Sequence, residues 1–155
     1  MTTYLQHSLA ALQRTLPDAE LEITRLPAVE QIQLALINTD FQTGPLPADA
    51  MHRVIANPAY WAFCWGSGLA LARWILSSAE FVANKRIVDV GCGCGVGAIA
   101  AKLAGAAEVV ACDNDPDALM VTRANAELNG VDLHYADDVT KLSGNYDLIL
   151  MADVL

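Results

Sequence analysis

The first half of the chain alternates between helical and extended patterns of apolar residues. Residues 3–14 predict a short helix, which a proline ends soon afterwards. The stretches ELEITRLP and EQIQLALIN favour strands, because Ile32, Leu34 and Leu36 alternate with their neighbours. After a loop rich in Gly and Pro, ADAMHRVIA predicts a second helix. LALARWILSS predicts a third, with Ser67 as its N-cap.

In the second half, short apolar strands alternate with helices. RIVDV, EVVACD, DLHYADD and YDLILMADV predict strands, and VGAIAAKLA and DPDALMVTRANAELNG predict helices. The second of these helices has Asp115 as N-cap, Pro116 at its first position and Gly130 beyond its end. This alternation predicts an α/β fold with a doubly wound, mostly parallel, Rossmann-like sheet. We therefore divide the chain into an N-terminal α+β accessory segment, residues 1–57, and a core, residues 58–155.

Composition and charge narrow the classes of function. The chain has 155 residues, of which 54% are hydrophobic and 17% charged, and this excludes a disordered protein. A net charge of −9 argues against binding to a nucleic-acid backbone. No apolar run is long enough for a membrane helix, and the N-terminus lacks the features of a signal peptide. We expect a cytoplasmic protein that binds neither nucleic acid nor membrane.

The four cysteines and three histidines do not form a recognisable metal site. The cysteines lack the C-x-x-C spacing of structural zinc sites, and the histidines are scattered. We expect reduced thiols, and no metal.

The stretch VDVGCGCGVGAIA predicts a tight turn between the first core strand and its helix. Gly91, Gly93 and Gly95 let the backbone approach a ligand closely, and the helix that follows offers free N–H groups. These features suit any nucleotide. The G-x-G-x-x-A register also permits a dinucleotide.

Three carboxylates near the strand ends favour a cationic ligand that carries a ribose. Asp89 lies just before the turn, where it would repel a pyrophosphate but attract an ammonium or a sulfonium. Asp113 ends the second core strand, where a carboxylate can accept both ribose hydroxyls. Asp138, with Asp137 as its competitor, follows the third strand and can accept from an exocyclic amine such as that of adenine.

VDVGCGCG and ACDNDP together resemble the first two motifs of class I S-adenosylmethionine-dependent methyltransferases. The resemblance implies that the three glycines of the turn pass under the methionine and ribose of the cofactor. It also implies that Asp113 binds the ribose hydroxyls, that Asn114 lies near the adenine and that Asp138 binds the adenine amine. Asp89 would hold the turn and the methionine ammonium.

A longer stretch, from NPAYWAFCWGSG to MADVL, is similar to the lysine methyltransferases of the electron transfer flavoprotein β-subunit. The likeness covers roughly the last two-thirds of the chain and extends more loosely to the ribosomal protein L11 methyltransferases. It implies that Trp61, Trp65, Gly66 and Gly68 border the methionine end of the cofactor. Asp153 would orient the acceptor amine and ease its deprotonation, or would contact the cofactor instead.

These resemblances predict an enzyme that methylates protein lysines. The alternatives are methylation of another amine, on a ribosomal protein or a small molecule, a nicotinamide-dependent oxidoreductase, and an inert cofactor-binding fragment. The sheet of the family has seven strands, and the present chain ends after the fourth. We therefore expect a truncated chain with complete cofactor motifs, an incomplete acceptor pocket, marginal stability and slow methylation.

Overall fold

The computed structural model describes residues 3–41, 44–152 and 154. It contains five α-helices and six strands within these residues, in the following order: α1 Thr3–Thr15, β1 Leu21–Leu26, β2 Val29–Ile37, α2 Ala48–Ala56, α3 Gly66–Ser77, β3 Arg86–Val90, α4 Val96–Leu103, β4 Glu108–Cys112, α5 Pro116–Leu128, β5 His134–Ala136 and β6 Leu148–Met151. A short 3₁₀ helix, Tyr60–Ala62, lies between α2 and α3. No helix among the described residues is both long enough and apolar enough to cross a bilayer.

The last four strands form one parallel sheet in the order β5-β4-β3-β6. Strand β3 lies inside the sheet and pairs with β4 on one side and β6 on the other, so that Asp89 lies between Ala111 and Leu150. Its burial on both faces explains its nearly continuous apolar sequence. The predicted doubly wound α/β fold is confirmed, and the carboxyl ends of the strands meet at one edge.

The N-terminal hairpin packs on the helices that cover this sheet. Strands β1 and β2 form an antiparallel pair with Leu21 opposite Ile37. The buried side chains of β2 share a hydrophobic cluster with α3 and α4, in which Ile32 lies with Ile75 and Ile99. The hairpin therefore contributes to the core that positions the turn after β3.

Most predicted helix and strand positions agree with the structure, including the Asp115 cap. The Asp115 side chain accepts a hydrogen bond from the Asp117 N–H, and Pro116 opens α5. The prediction that Ser67 caps α3 is wrong. The helix begins at Gly66, two residues before the start that a Ser67 cap predicts, and the carbonyl of its N-cap Trp65 accepts the first helical hydrogen bond, from Leu69.

Candidate functional site

The turn between β3 and α4 has a backbone that three glycines make possible. Gly91, Gly93 and Gly95 have φ angles of 68°, 52° and 82°, in the left-handed region that other residues rarely adopt. The N–H groups of Gly91 and Cys92 both donate to the carbonyl of Cys112 at the end of β4. This anchors the start of the turn to the neighbouring strand.

Asp89 fixes the end of the turn from inside the protein. Its Oδ2 accepts a hydrogen bond of 2.8 Å from the Ala98 N–H in the first turn of α4. A Cβ at Gly97 would lie 2.9 Å from the same oxygen, so that only glycine fits between the helix and this carboxylate. Burial, followed by the nearby Asp113 carboxylate, raises the pKa of Asp89 to about 7, against the lowering effect of the Ala98 hydrogen bond.

Two polar side chains of α5 hold the middle of the turn. Thr122 Oγ1 donates to the carbonyl of Gly93 at 2.9 Å, and Asn125 Nδ2 donates to the carbonyl of Cys94 at 2.8 Å. The Asn125 Oδ1 also accepts from the N–H of Ala35 in β2, at 2.7 Å. Both side chains are fully buried. The N-terminal hairpin is therefore connected to the turn through a single amide.

Asp113 follows β4 and faces the turn from the neighbouring strand. Its Oδ2 accepts from the Gly93 N–H at 2.9 Å, and its Oδ1 accepts from the Asp115 N–H at 3.0 Å. Each carboxylate oxygen can accept a second hydrogen bond, so that Asp113 retains acceptor capacity for ligand hydroxyls. It orders the turn and remains available at its surface.

A cavity of about 510 Å³ lies over the turn, which is a volume typical of small-ligand sites. Three carboxylates are among the residues that line it, those of Asp89, Asp113 and Asp115, and Asn114 lies beside them. Burial raises the pKa of Asp115. No Lys, Arg or His is among the described lining residues. The electrostatics favour a ligand with a cationic group and disfavour a pyrophosphate.

Aromatic residues also line this cavity, which we call the cofactor cavity. Trp61 is buried beneath it, and Tyr60, Phe63 and Trp65 line it with 58%, 41% and 46% of their surface exposed. The Trp65 Nε1–H donates to the Tyr60 carbonyl at 2.9 Å. Gly68, in the first turn of α3, also lines the cavity.

The structure does not bring every predicted cofactor residue to this cavity. Gly95 and Gly66 are not among its lining residues. A Cβ at Gly95 would lie 2.7 Å from Thr122 Cγ2, so that its close approach is to α5. Asp138 is also absent from the lining, and its carboxylate accepts from the N–H and hydroxyl of Thr140. Its competitor Asp137 pairs with Lys141 at 3.2 Å.

The predicted catalytic residue, Asp153, lies outside the described residues. The ligand contacts predicted for all the site residues, including Asp138, Gly66, Gly95 and Asp153, stay predictions.

The cysteines of the turn are protonated thiols rather than nucleophiles. All four cysteines are free, and Cys92, Cys94 and Cys112 are buried. Burial raises the pKa of Cys92 well above its usual value. A hydrogen bond with the Cys64 thiol, followed by burial, does the same for Cys94. Their small side chains fit the turn, and a raised pKa keeps a thiol in its less nucleophilic, protonated form.

Sequence reasoning missed the side chains that hold the turn and one part of its aromatic wall. Thr122 and Asn125 are three residues apart on one helix face, and buried polar residues at that spacing are a usable signal. Tyr60 was not predicted to line the cavity. Phe63 carries no such prediction either, although both belong to the aromatic stretch before α3.

Comparison with known proteins gives the family. The profile of the ribosomal protein L11 methyltransferase (PrmA) family matches residues 74–155. A Xenopus laevis protein named electron transfer flavoprotein beta subunit lysine methyltransferase is 31% identical over 169 aligned positions, which cover 97% of this chain and 68% of that protein. The chain belongs to the PrmA family of methyltransferases. Its resemblance to class I S-adenosylmethionine-dependent methyltransferases is thereby confirmed.

Further relatives agree with this family. The Danio rerio protein of the same name as the Xenopus laevis relative is 45% identical over 98 residues, which cover 61% of this chain. The chain spans only 38% of the length of that relative. The ribosomal protein L11 methylase of Lactobacillus delbrueckii subsp. bulgaricus superposes with a TM-score of 0.52 at 32% identity, over 57% of this chain and 47% of that structure.

The geometry of the turn predicts that Gly93→Ala weakens cofactor binding without unfolding the protein. A Cβ at Gly93 meets nothing closer than the Gly91 carbonyl oxygen at 4.0 Å, so that it would project towards the space for the ligand. We expect a loss of stability of about 1 kcal/mol from the left-handed backbone. Titration with S-adenosylhomocysteine, combined with urea unfolding, measures both effects.

Gly130→Ala is the matched control for Gly93→Ala. Gly130 also has a positive φ, of 63°, and open space around its Cβ position, but it lies beyond the end of α5 and away from the cavity. It should lose similar stability and bind S-adenosylhomocysteine normally. Equal affinities for the two variants would contradict a ligand role for the turn.

Proposed function

We propose that the protein is an S-adenosylmethionine-dependent methyltransferase that acts on protein lysines. The observation that carries this proposal is the charge of the cofactor cavity, in which Asp89 and Asp113 face the glycine turn and the part of the lining that the structure describes has no cationic side chain. A dinucleotide would bring its pyrophosphate against these carboxylates. A ligand with an ammonium, a sulfonium and a ribose complements them.

The residues present fit this cofactor in two respects. The turn is bare, since a Cβ at Gly93 has no close neighbour, and a flat ligand can lie against its backbone. Asp113 is already oriented by the Gly93 and Asp115 N–H groups and keeps acceptor capacity for two ribose hydroxyls. Asp89 would receive the methionine ammonium, and Asn114 would contact the adenine.

The chain contributes orientation and exclusion of water rather than covalent chemistry. When bound, S-adenosylmethionine supplies an activated methyl group, which passes to a neutral amine nitrogen as the carbon–sulfur bond breaks and S-adenosylhomocysteine remains. The hydrogen bonds of Thr122 and Asn125 keep the turn rigid, and Trp61 closes the base of the cavity. Holding the two reactants in the correct orientation lowers the activation free energy by several kcal/mol. We propose Asp153 as the residue that orients the acceptor amine.

The names of the relatives support lysine as the acceptor. The Xenopus laevis and Danio rerio proteins are named for a lysine of the electron transfer flavoprotein beta subunit. The PrmA profile and the Lactobacillus delbrueckii structure support the second candidate, an amine of a ribosomal protein. The cytoplasmic location and the division at residue 57 stay predictions.

Calorimetric titration with S-adenosylhomocysteine and NAD tests the proposal. We expect S-adenosylhomocysteine to bind and NAD to bind more weakly or not at all, because the cavity carboxylates repel a pyrophosphate. The Asp113→Ala variant should bind S-adenosylhomocysteine about 1–3 kcal/mol more weakly, through the loss of charge-assisted hydrogen bonds. Asp132→Ala, which removes an exposed carboxylate outside the cavity, is the control and should have no effect. Tighter binding of NAD would overturn the assignment.

The affinity for S-adenosylhomocysteine should fall as the pH falls below neutrality. The pKa of Asp89 is about 7 in the free protein, so that a proton must leave before this carboxylate accepts from the ammonium of the ligand. Below that pH, the affinity for S-adenosylhomocysteine should fall by up to about tenfold for each further unit decrease in pH. Above it the affinity should level off. Titration between about pH 5.5 and 8 measures the profile.

The Asp89→Asn variant separates Asp89 from the other carboxylates of the cavity. The amide oxygen can still accept from the Ala98 N–H, so that the turn keeps its support. The variant should bind more weakly at pH 8 and lose most of the pH dependence. If the affinity of the variant depends on pH as steeply as that of the unmodified protein, the titrating group is not Asp89.

A further inference from the structure

A second cavity, of about 530 Å³, lies next to the cofactor cavity. The N-terminal segment provides most of its lining, with Ile37, Leu46 and Val54 of α2 among the apolar residues. Three residues, Tyr60, Phe63 and Trp65, line both cavities. We call these three the aromatic partition, because they form the boundary that the cavities share.

The aromatic partition is a cluster of rings that pack together and remain exposed. The Tyr60 and Trp65 ring centroids are 6.1 Å apart with an interplanar angle of 67°, and those of Phe63 and Trp65 are 5.6 Å apart at 49°. Exposed aromatic clusters beside a cavity are typical of binding surfaces. The faces of such rings attract alkylammonium groups.

Charge selects between the possible occupants of the second cavity. No charged side chain is among the described residues that line it, and the neighbouring cofactor cavity carries only carboxylates. The chain as a whole has a net charge of −9. An anionic ligand would meet no cationic side chain among the described lining residues of either cavity, whereas a cation on an alkyl stem matches both the apolar lining and the surrounding negative charge.

We propose that the second cavity receives the acceptor lysine, with its methylenes along the apolar lining and its ammonium against the aromatic partition. This inference rests on the proposed function and specifies the acceptor side of the same site. The partition would hold the nitrogen at the boundary with the cofactor cavity, from which the methyl group comes.

The lining of the second cavity also suits the chemistry that the amine must undergo. Methyl transfer needs a neutral amine. Burial among apolar side chains lowers the pKa of a lysine, and none of the described residues that line this cavity carries a carboxylate that would raise the pKa again. The ammonium would lose one proton to solvent before attack. The neutral nitrogen would then bond to the methyl carbon as the carbon–sulfur bond breaks, which gives a methylated ammonium and S-adenosylhomocysteine.

Binding of small lysine analogues to the full chain tests this proposal. The protein is labelled with ¹⁵N and saturated with S-adenosylhomocysteine, and the indole N–H signals of its three tryptophans are followed. The probes are Nα-acetyl-lysinamide and Nα-acetyl-norleucinamide, which keeps the four-carbon chain but lacks the amine. Lysinamide should shift the Trp65 signal in a saturable manner and bind about fivefold or more tightly than norleucinamide.

Trp74 provides the internal control for these spectra. This residue is 44% exposed, and its ring centroid lies 5.4 Å from that of Phe81, but it lines neither cavity. Its indole signal should not move with either probe. Equal responses of Trp65 to the two probes, or movement of Trp74 and Trp65 together, would overturn the proposal.

A variant that fills the second cavity provides the independent test. Val54→Phe should weaken lysinamide binding about fivefold or more and leave S-adenosylhomocysteine binding unchanged, which also shows that the variant folds. Ile55→Phe is the matched control, since Ile55 is the next residue of α2, is 73% exposed and lines neither cavity.

The results of these experiments distinguish a failure of this inference from a failure of the proposed function. Unchanged lysinamide binding in Val54→Phe, or an unmoved Trp65 signal with S-adenosylhomocysteine bound, overturns the acceptor site alone. Absent S-adenosylhomocysteine binding in the unmodified protein overturns the proposed function.

Discussion

The cofactor cavity depends on a turn that has almost no side chains of its own to hold it. Residues 91–95 are three glycines and two cysteines, and their shape is fixed by hydrogen bonds from outside the turn. The most consequential of these come from Asn125, whose buried amide contacts the Cys94 carbonyl and the Ala35 N–H. Either group left unpaired in the interior would cost about 1–3 kcal/mol. The packing of the hairpin and the shape of the turn are therefore coupled.

The same arrangement explains why two carboxylates lie beside the glycine turn. Asp89 supports α4 from beneath and Asp113 supports the turn from the side, so that each has a structural role before any ligand is present. Their negative charge is then available to a cationic cofactor. The burial that lets Asp89 reach the Ala98 N–H also raises its pKa to about 7. The buried position of Asp89 therefore accounts both for its hydrogen bond to α4 and for the raised pKa from which the predicted pH dependence of binding follows.

The core sheet and the cofactor turn could be predicted from the sequence because their signals are local. The alternation of strands and helices, the Asp115 cap and the spacing of Gly91, Gly93 and Gly95 are all contained in short stretches. The second cavity could not be predicted, since it forms where β2, α2 and the aromatic stretch converge after folding. The helix start at Gly66 was missed because its N-cap, Trp65, makes no side-chain capping hydrogen bond, whereas the prediction relied on a serine.

The roles proposed for the residues of the cofactor cavity all depend on how the cofactor is oriented over the glycine turn. A crystal structure of the chain with S-adenosylhomocysteine measures it most directly. We predict both ribose hydroxyls within about 3 Å of the Asp113 carboxylate. We also predict the methionine ammonium on the side of Asp89 and the sulfur towards the aromatic partition. S-adenosylhomocysteine bound in the second cavity, or bound with its ribose away from Asp113, would contradict this orientation.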